Sequence, residues 1–245
     1  MQPAAGMNPA ATFGVVELRR YALHPGRRDA LIRLFESAFI ESQEECGMVP
    51  IGHYRDLDDP DSFVWFRGFA DMETRLGALE AFYTSRAWVD HRDAANATMI
   101  DSDNVLLLRS ARPGSGFETQ GFSRPAGADL ATGTGRFVAA AVLMLGESAT
   151  ERLVAAFEEH LLPELRRHAA RIAYLVTEER PNDYPRLPVR EGEYAFVVVG
   201  ICATDQALEG WLRAFDSGSL PEILRSQTRG SQLLRLEPAP RSLFR

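Results

Sequence analysis

An α+β chain made of two copies of a β-α-β-β-α-β unit is the fold that the 245-residue sequence predicts. Three observations carry that prediction. Alternating apolar segments (strands) and segments of 3.6-residue period (helices) follow one another in the same order twice. A stretch with six glycines, two prolines and no apolar periodicity, residues 112–135, separates the two runs. The composition, 45% hydrophobic and 25% charged, is that of a globular protein and excludes disorder and collagen.

In the first run, residues 15–23 alternate like a strand and Pro25-Gly26 turns the chain. Leu31, Leu34, Phe35, Ala38 and Phe39 recur at helical spacing, and Cys46-Gly47 ends that helix. Residues 48–55 and 63–69 read as strands joined by an acidic turn, residues 56–61. Asp71 is the expected N-cap of a helical region that runs to about Met99 and breaks near Thr84-Ser85. Residues 105–109 form the last strand. In the second run, residues 137–145 are a strand. Ser148 and Glu151 read as a capping box, and Leu153, Phe157 and Leu161 mark a helix that Pro163 ends or kinks. Residues 172–178 and 194–201 are strands. Leu208, Trp211, Leu212 and Phe215 mark a helix, and residues 233–236 close the unit. Each run is a ferredoxin-like split βαβ unit. The expected organisation is a tail (1–12), a first repeat (13–111), a linker (112–135) and a second, divergent repeat (136–240).

All 27 cationic residues are arginine, so lysine Schiff bases and a Walker lysine are excluded. The net charge of −7 argues against general nucleic-acid binding. The longest apolar run, residues 137–145, is too short to span a membrane. The N-terminus has neither a charged n-region nor an apolar h-region, which predicts a cytoplasmic protein. Two distant cysteines, Cys46 and Cys202, form no framework and suit a reducing compartment.

Two such sheets are expected to close on one another and enclose a space. Alternation separates Val16, Leu18 and Ala22 from Glu17, Arg19 and Tyr21, and Val64 and Phe66 from Trp65 and Arg67. With the apolar set assigned to the helices, the polar set faces the enclosed space. His53 and Arg55 share one face of the second strand and Tyr54 takes the other. Glu17 is expected to pair with Arg19 or Arg67, since isolated buried charges are costly. The second run offers mostly apolar counterparts (Ala139, Ala141, Leu143, Phe196, Val198), a hydrophobic wall.

The pattern Glu17-Leu18-Arg19-x-Tyr21, then Pro25-Gly26, Gly52, Trp65, Arg75 and Trp88, resembles the NIPSNAP family. Residues 182–193 are similar to the hairpin region of the second repeat in two-repeat bacterial members. The resemblance implies a dimeric α+β barrel architecture, shared with antibiotic-biosynthesis monooxygenase, EthD and chlorite dismutase-like proteins. Barrel relatives do unrelated chemistry, so it implies no particular reaction.

Two functions are carried forward. In the first, the barrel binds a small, partly apolar, anionic or carbonyl-bearing molecule. Arg19, Arg55 and Arg67 would position it, Tyr21 and Trp65 would shape the site, and Glu17 or His53 would move a proton. Cofactor-free oxygenation or isomerisation is the class that the fold suggests. In the second, the chain is a non-catalytic binding or assembly module with an ion-paired, filled barrel. Exposed sheet edges also allow a homodimer. No cofactor or metal is expected. His91, His160 and His168 read as surface or packing histidines rather than haem ligands, and without HExxH or paired-ligand spacing no structural zinc site is expected. Gly133-x-Gly135 precedes a strand, so it is no dinucleotide fingerprint, and the Asp56–Asp61 turn lacks the EF-hand pattern.

Overall fold

The computed structural model describes residues 13–119, 123–125, 135–216, 218 and 220–245. The expected tail and the segment 126–134 of the expected linker lie outside the described residues. Repeat 1 comprises β1 (Val15–Leu23), α1 (Arg28–Leu34), a π-helical turn (Phe35–Phe39), α2 (Ile40–Glu45), β2 (Val49–Asp56), β3 (Ser62–Phe69), α3 (Met72–Thr84), α4 (Arg86–Asn96) and β4 (Met99–Ser110). Repeat 2 comprises β5 (Phe137–Leu145), α5 (Glu151–Ala156), a second π-helical turn (Phe157–Leu161), α6 (Leu162–Leu165), β6 (Ala169–Thr177), β7 (Tyr194–Cys202), α7 (Asp205–Arg213), α8 (Glu222–Gln227) and β8 (Thr228–Pro238). No helix among the described residues is long and apolar enough to cross a membrane.

The eight strands close into one barrel in the order β1-β3-β2-β8-β5-β7-β6-β4. Each repeat gives four antiparallel strands with its first strand flanked by its third and fourth, as a split βαβ unit requires. The repeats join through β2–β8 and β4–β6. The barrel therefore closes within a single chain.

Local signals set the helix ends. Asp71 Oδ1 accepts from the Thr74 N–H at 2.7 Å while the Asp71 N–H donates to Thr74 Oγ1 at 3.1 Å, a complete capping box for α3. Ser85 ends α3 and caps α4. Gly47, at φ +91°, ends α2 where a side chain would be strained. The expected Ser148–Glu151 box is corrected: Thr150 is the N-cap of α5, accepting from the Leu153 N–H, and Ser148 donates to Glu179 instead. The two π-helical turns occupy the same place in each repeat.

The assignment of faces is also corrected. Val16, Leu18, Val64 and Phe66 join residues from all eight strands in one buried apolar cluster, which is the barrel interior. The alternate residues of repeat 1, including Tyr21, Phe63 and Trp65, pack under the helices of repeat 1. Ala139, Ala141, Leu143, Phe196 and Val198 likewise pack under the helices of repeat 2 rather than lining the barrel. Ala22 is exposed. The physical reason is that both faces of a closed, helix-clad barrel are buried. Charges settle on the face where helices deliver partners. The interior, where strand meets strand, takes the branched apolar side chains.

Two tails complete the interior. Phe117, just after β4, and Phe244, after β8, meet edge to face at 4.9 Å inside it. Each tail pins the second strand of the opposite repeat. Ser115 Oγ donates to the Tyr174 carbonyl of β6 at 2.9 Å, and Ser242 Oγ donates to the His53 carbonyl of β2 at 2.6 Å. Residues 112–119 of the expected linker are thus part of the packed structure.

Candidate functional site

The charged set predicted from alternation forms one buried cluster between the sheet and the helices of repeat 1. Register places it: Glu17 of β1 lies opposite Arg67 of β3, and Arg19 opposite Trp65. Glu17 accepts five hydrogen bonds. Arg67 gives two to Oε2 (2.6 and 3.0 Å) and Arg19 one (3.0 Å), while Arg75 of α3 gives two to Oε1 (2.7 and 2.9 Å). All four side chains are at most 1% exposed. Burial would raise the Glu17 pKa, but Arg67, then Arg19 and Arg75, override it and hold the carboxyl far below the usual range.

Aromatic groups frame the charges. Arg19 Nε donates to Tyr21 Oη at 2.8 Å, and the guanidiniums of Arg19 and Arg67 lie 5.7 and 5.1 Å from the Trp65 ring centre. Burial raises the Tyr21 pKa despite Arg19, so the phenol stays protonated. Arg19 is held strongly cationic: against its desolvation stand the Glu17 carboxylate and the hydrogen bond to Tyr21 Oη. One donor remains open: among the described residues, Trp65 Nε1 is buried without a hydrogen-bond partner. Among the described residues, Asp183, from the β6–β7 connection, is the one further carboxylate paired with the cluster, through Arg75. Three guanidiniums thus face two carboxylates, an excess of one positive charge.

Glu17, Arg19, Tyr21, Trp65 and Arg67 therefore come together as the sequence analysis grouped them, though outside the barrel interior. His53 also faces the helices but stands apart, with Phe35 between it and Trp65 (ring centres 5.1 and 4.9 Å). Its Nε2 contacts Glu36 Oε1 of the π-helical turn at 2.8 Å. Burial lowers the His53 pKa, only partly offset by Glu36. Arg55 lies at the rim, paired with Asp29 of α1 at 2.9 Å. Sequence reasoning left two participants out of the site. Arg75 shares the buried face of α3 with Met72, Ala78, Leu79 and Phe82, and a cation buried there needs a carboxylate on the facing strand. Asp183 sits on a hairpin of the other repeat and had no local signal.

Ser242 Oγ, His53 and Glu36 resemble a Ser-His-Glu triad, with 3.4 Å from Oγ to Nδ1. The twin in repeat 2 explains the serine otherwise. Ser115 makes the same bond to the strand carbonyl of Tyr174, where there is no imidazole, and Tyr174 Oη donates to Glu158 at 2.6 Å as His53 contacts Glu36. Both serines hold tails in place. Among the described residues no group of three or more His, Cys, Asp or Glu side chains is arranged to hold a metal ion. His160, weighed for haem, is a surface residue of the second π-helical turn, and His168 packs against Gly210.

Comparison with known proteins follows the same outline. Residues 16–112 match the NIPSNAP family model. A "putative monooxygenase" from Fusobacterium nucleatum superposes on 93% of this chain and 93% of its own, with a TM-score of 0.54 and 8% identity. A protein of the same description from Lactobacillus acidophilus reaches 0.49 with 13% identity, covering 91% of this chain and 93% of its own. A NIPSNAP domain protein from Burkholderia xenovorans covers 40% of this chain and 94% of its own, with a TM-score of 0.37 and 14% identity. The first of these likenesses fixes the α+β fold and nothing finer. No curated protein matches the sequence.

Proposed function

We propose that this chain, whose first repeat is a NIPSNAP domain, binds one small, partly apolar anion under the helices of repeat 1. The observation that carries the reading is a buried cluster of three guanidiniums that share one buried carboxylate, Glu17, with Trp65 Nε1 buried and unpaired beside them. A buried, uncompensated guanidinium is costly and calls for an anion. Tyr21, Phe35, Phe63 and Trp65 give the apolar wall, which favours a carboxylate on an aromatic or aliphatic body. Glu17, ionised and saturated with donors, acts as the anchor that holds three arginines in place and is not free to move a proton. Of the two acid–base candidates, His53 is the one that burial, through its lowered pKa, favours in the neutral, proton-accepting form.

A second reading has its own support. Glu17 is satisfied within the protein and the described barrel interior is packed with apolar side chains, as suits a closed binding or assembly scaffold. Native mass spectrometry of freshly purified protein, with an absorbance spectrum, separates the two. The ligand reading expects a retained or added small acid at one per chain, lost at least tenfold in Arg19→Ala. An apo mass, together with no binding of added benzoate, supports the scaffold. The monooxygenase description of the fold neighbours makes oxygen consumption the first activity to assay on any acid that binds.

A further inference from the structure

The two hairpin connections differ in length. Five residues, 57–61, join β2 to β3, whereas sixteen, 178–193, join β6 to β7. The longer one crosses onto the other repeat, and Asn182 organises it. Its N–H donates to Glu191 Oε1 at 2.7 Å, its Nδ2 donates to the Tyr184 and Leu187 carbonyls at 3.2 and 2.9 Å, and its Oδ1 accepts from the Tyr184 N–H at 3.2 Å. Tyr184 is buried in the helical layer of repeat 1 and stacks on Tyr83 of α3 at 6.0 Å. From this platform Asp183 and Asn182 both accept from Arg75 Nη1. The Asp183 carboxylate stays 23% exposed while Arg75 is wholly buried. An open groove of about 620 Å³ runs along the seam between α3 and residues 183–186, lined in part by Leu76, Glu80, Asp183 and Tyr184.

We propose that Arg75 Nη1 is a carboxylate subsite, and that Asp183 is its internal occupant, displaced by the carboxylate of a ligand as the strap 182–187 lifts. The proposal rests on the ligand-binding reading above and adds where the acid group lands and what guards it. The Asp183–Arg75 contact is itself a carboxylate on one edge of a guanidinium, the chemistry a ligand acid would offer. Asp183 lines the groove and Arg75 lies wholly buried behind it, so an acid arriving there meets Asp183 before the deeper Glu17 bonds. The strap also lies over the repeat that keeps its charges. In repeat 2 the residue four past the helix N-cap, where Arg75 stands in repeat 1, is the buried Leu208, and the connection from the other repeat is short.

The test compares full-length wild type with Asp183→Ala and Asp183→Asn, using sodium benzoate as the probe and sodium chloride at equal ionic strength as the control. The expected result is at least tenfold tighter benzoate binding by Asp183→Ala, with Asp183→Asn in between. Benzoate should speed hydrogen exchange of residues 180–190 in the wild type. Acetate should raise the melting temperature of Asp183→Ala more than that of the wild type, by taking the vacated place on Arg75. If the wild type binds benzoate but both variants bind within twofold of it and exchange at 180–190 is unmoved, the latch is wrong and the ligand site stands. If none of the three proteins binds benzoate and acetate rescues nothing, both readings fall.

Discussion

On the helix-facing side of β1, repeat 1 carries Glu17, Arg19 and Tyr21. At the same register positions of β5, repeat 2 carries Ala139, Ala141 and Leu143. Opposite them, Arg67 and Trp65 are matched by Gly200 and Val198, and Arg75 by Leu208. Trp211 fills the space that the missing side chains leave. A Cβ on Gly200 would stand 2.7 Å from its Nε1. The frame is otherwise shared, down to the π-helical turns, the tail serines and the two phenylalanines that meet in the barrel. Repeat 2 thus demonstrates within one molecule that this architecture closes with an apolar layer. A buried ion cluster is often no more stable than a well-packed apolar replacement. The charges of repeat 1 are therefore not needed to close the sheet, which is why we connect them with binding.

The sharpest way to break this comparison is Glu17→Ala, which leaves three buried guanidiniums around a void. It is expected to cost about 3–5 kcal/mol in urea unfolding, the range for breaking one side of a buried ion pair. A loss under about 1 kcal/mol would mean that water already reaches the cluster. Next, Phe117→Ala and Phe244→Ala should each cost about 3 kcal/mol as core truncations, and should agree within about 1 kcal/mol if the tails are true twins. Smaller again, Ser115→Ala and Ser242→Ala each remove a buried bond to a strand carbonyl, at about 1–2 kcal/mol. A much larger effect on function at Ser242 alone would revive the triad.

The smallest effect separates the repeats by pH. His53 has a folded pKa below its ordinary 6.5, so the unfolded chain binds its proton more readily. Its contribution is complete above 6.5 and is lost as pH falls through the lowered value. Its counterpart Tyr174 is pushed up to about 12, by burial and then by Glu158, and does not titrate in that window. Melting temperature should therefore decline from pH 7.5 to 5.5, and His53→Gln should flatten the decline. An unchanged slope in the variant assigns the decline to other groups.

Much of this was legible before the structure. Alternation separated Glu17, Arg19 and Tyr21 from Val16 and Leu18, because a strand has only two faces. It could not say which face looks inward, because a closed barrel under helices hides both. Arg75 held the missing information, since a buried cation on α3 needs its carboxylate on the strand face turned towards that helix. Helix ends followed local chemistry at Asp71 and Gly47, yet Thr150 displaced Ser148 as a cap, a shift of two residues that composition does not resolve. Asp183 was out of reach for a different reason. Its role depends on a hairpin crossing 108 residues of sequence to the other repeat.

The difference between the repeats is tested most directly by the stoichiometry of benzoate in isothermal titration, with the wild type and Arg19→Ala side by side. One benzoate per chain in the wild type, and at least tenfold weaker binding in Arg19→Ala, is the result expected if only repeat 1 keeps a site. Two equivalent sites per chain, or one whose affinity ignores Arg19, would contradict it.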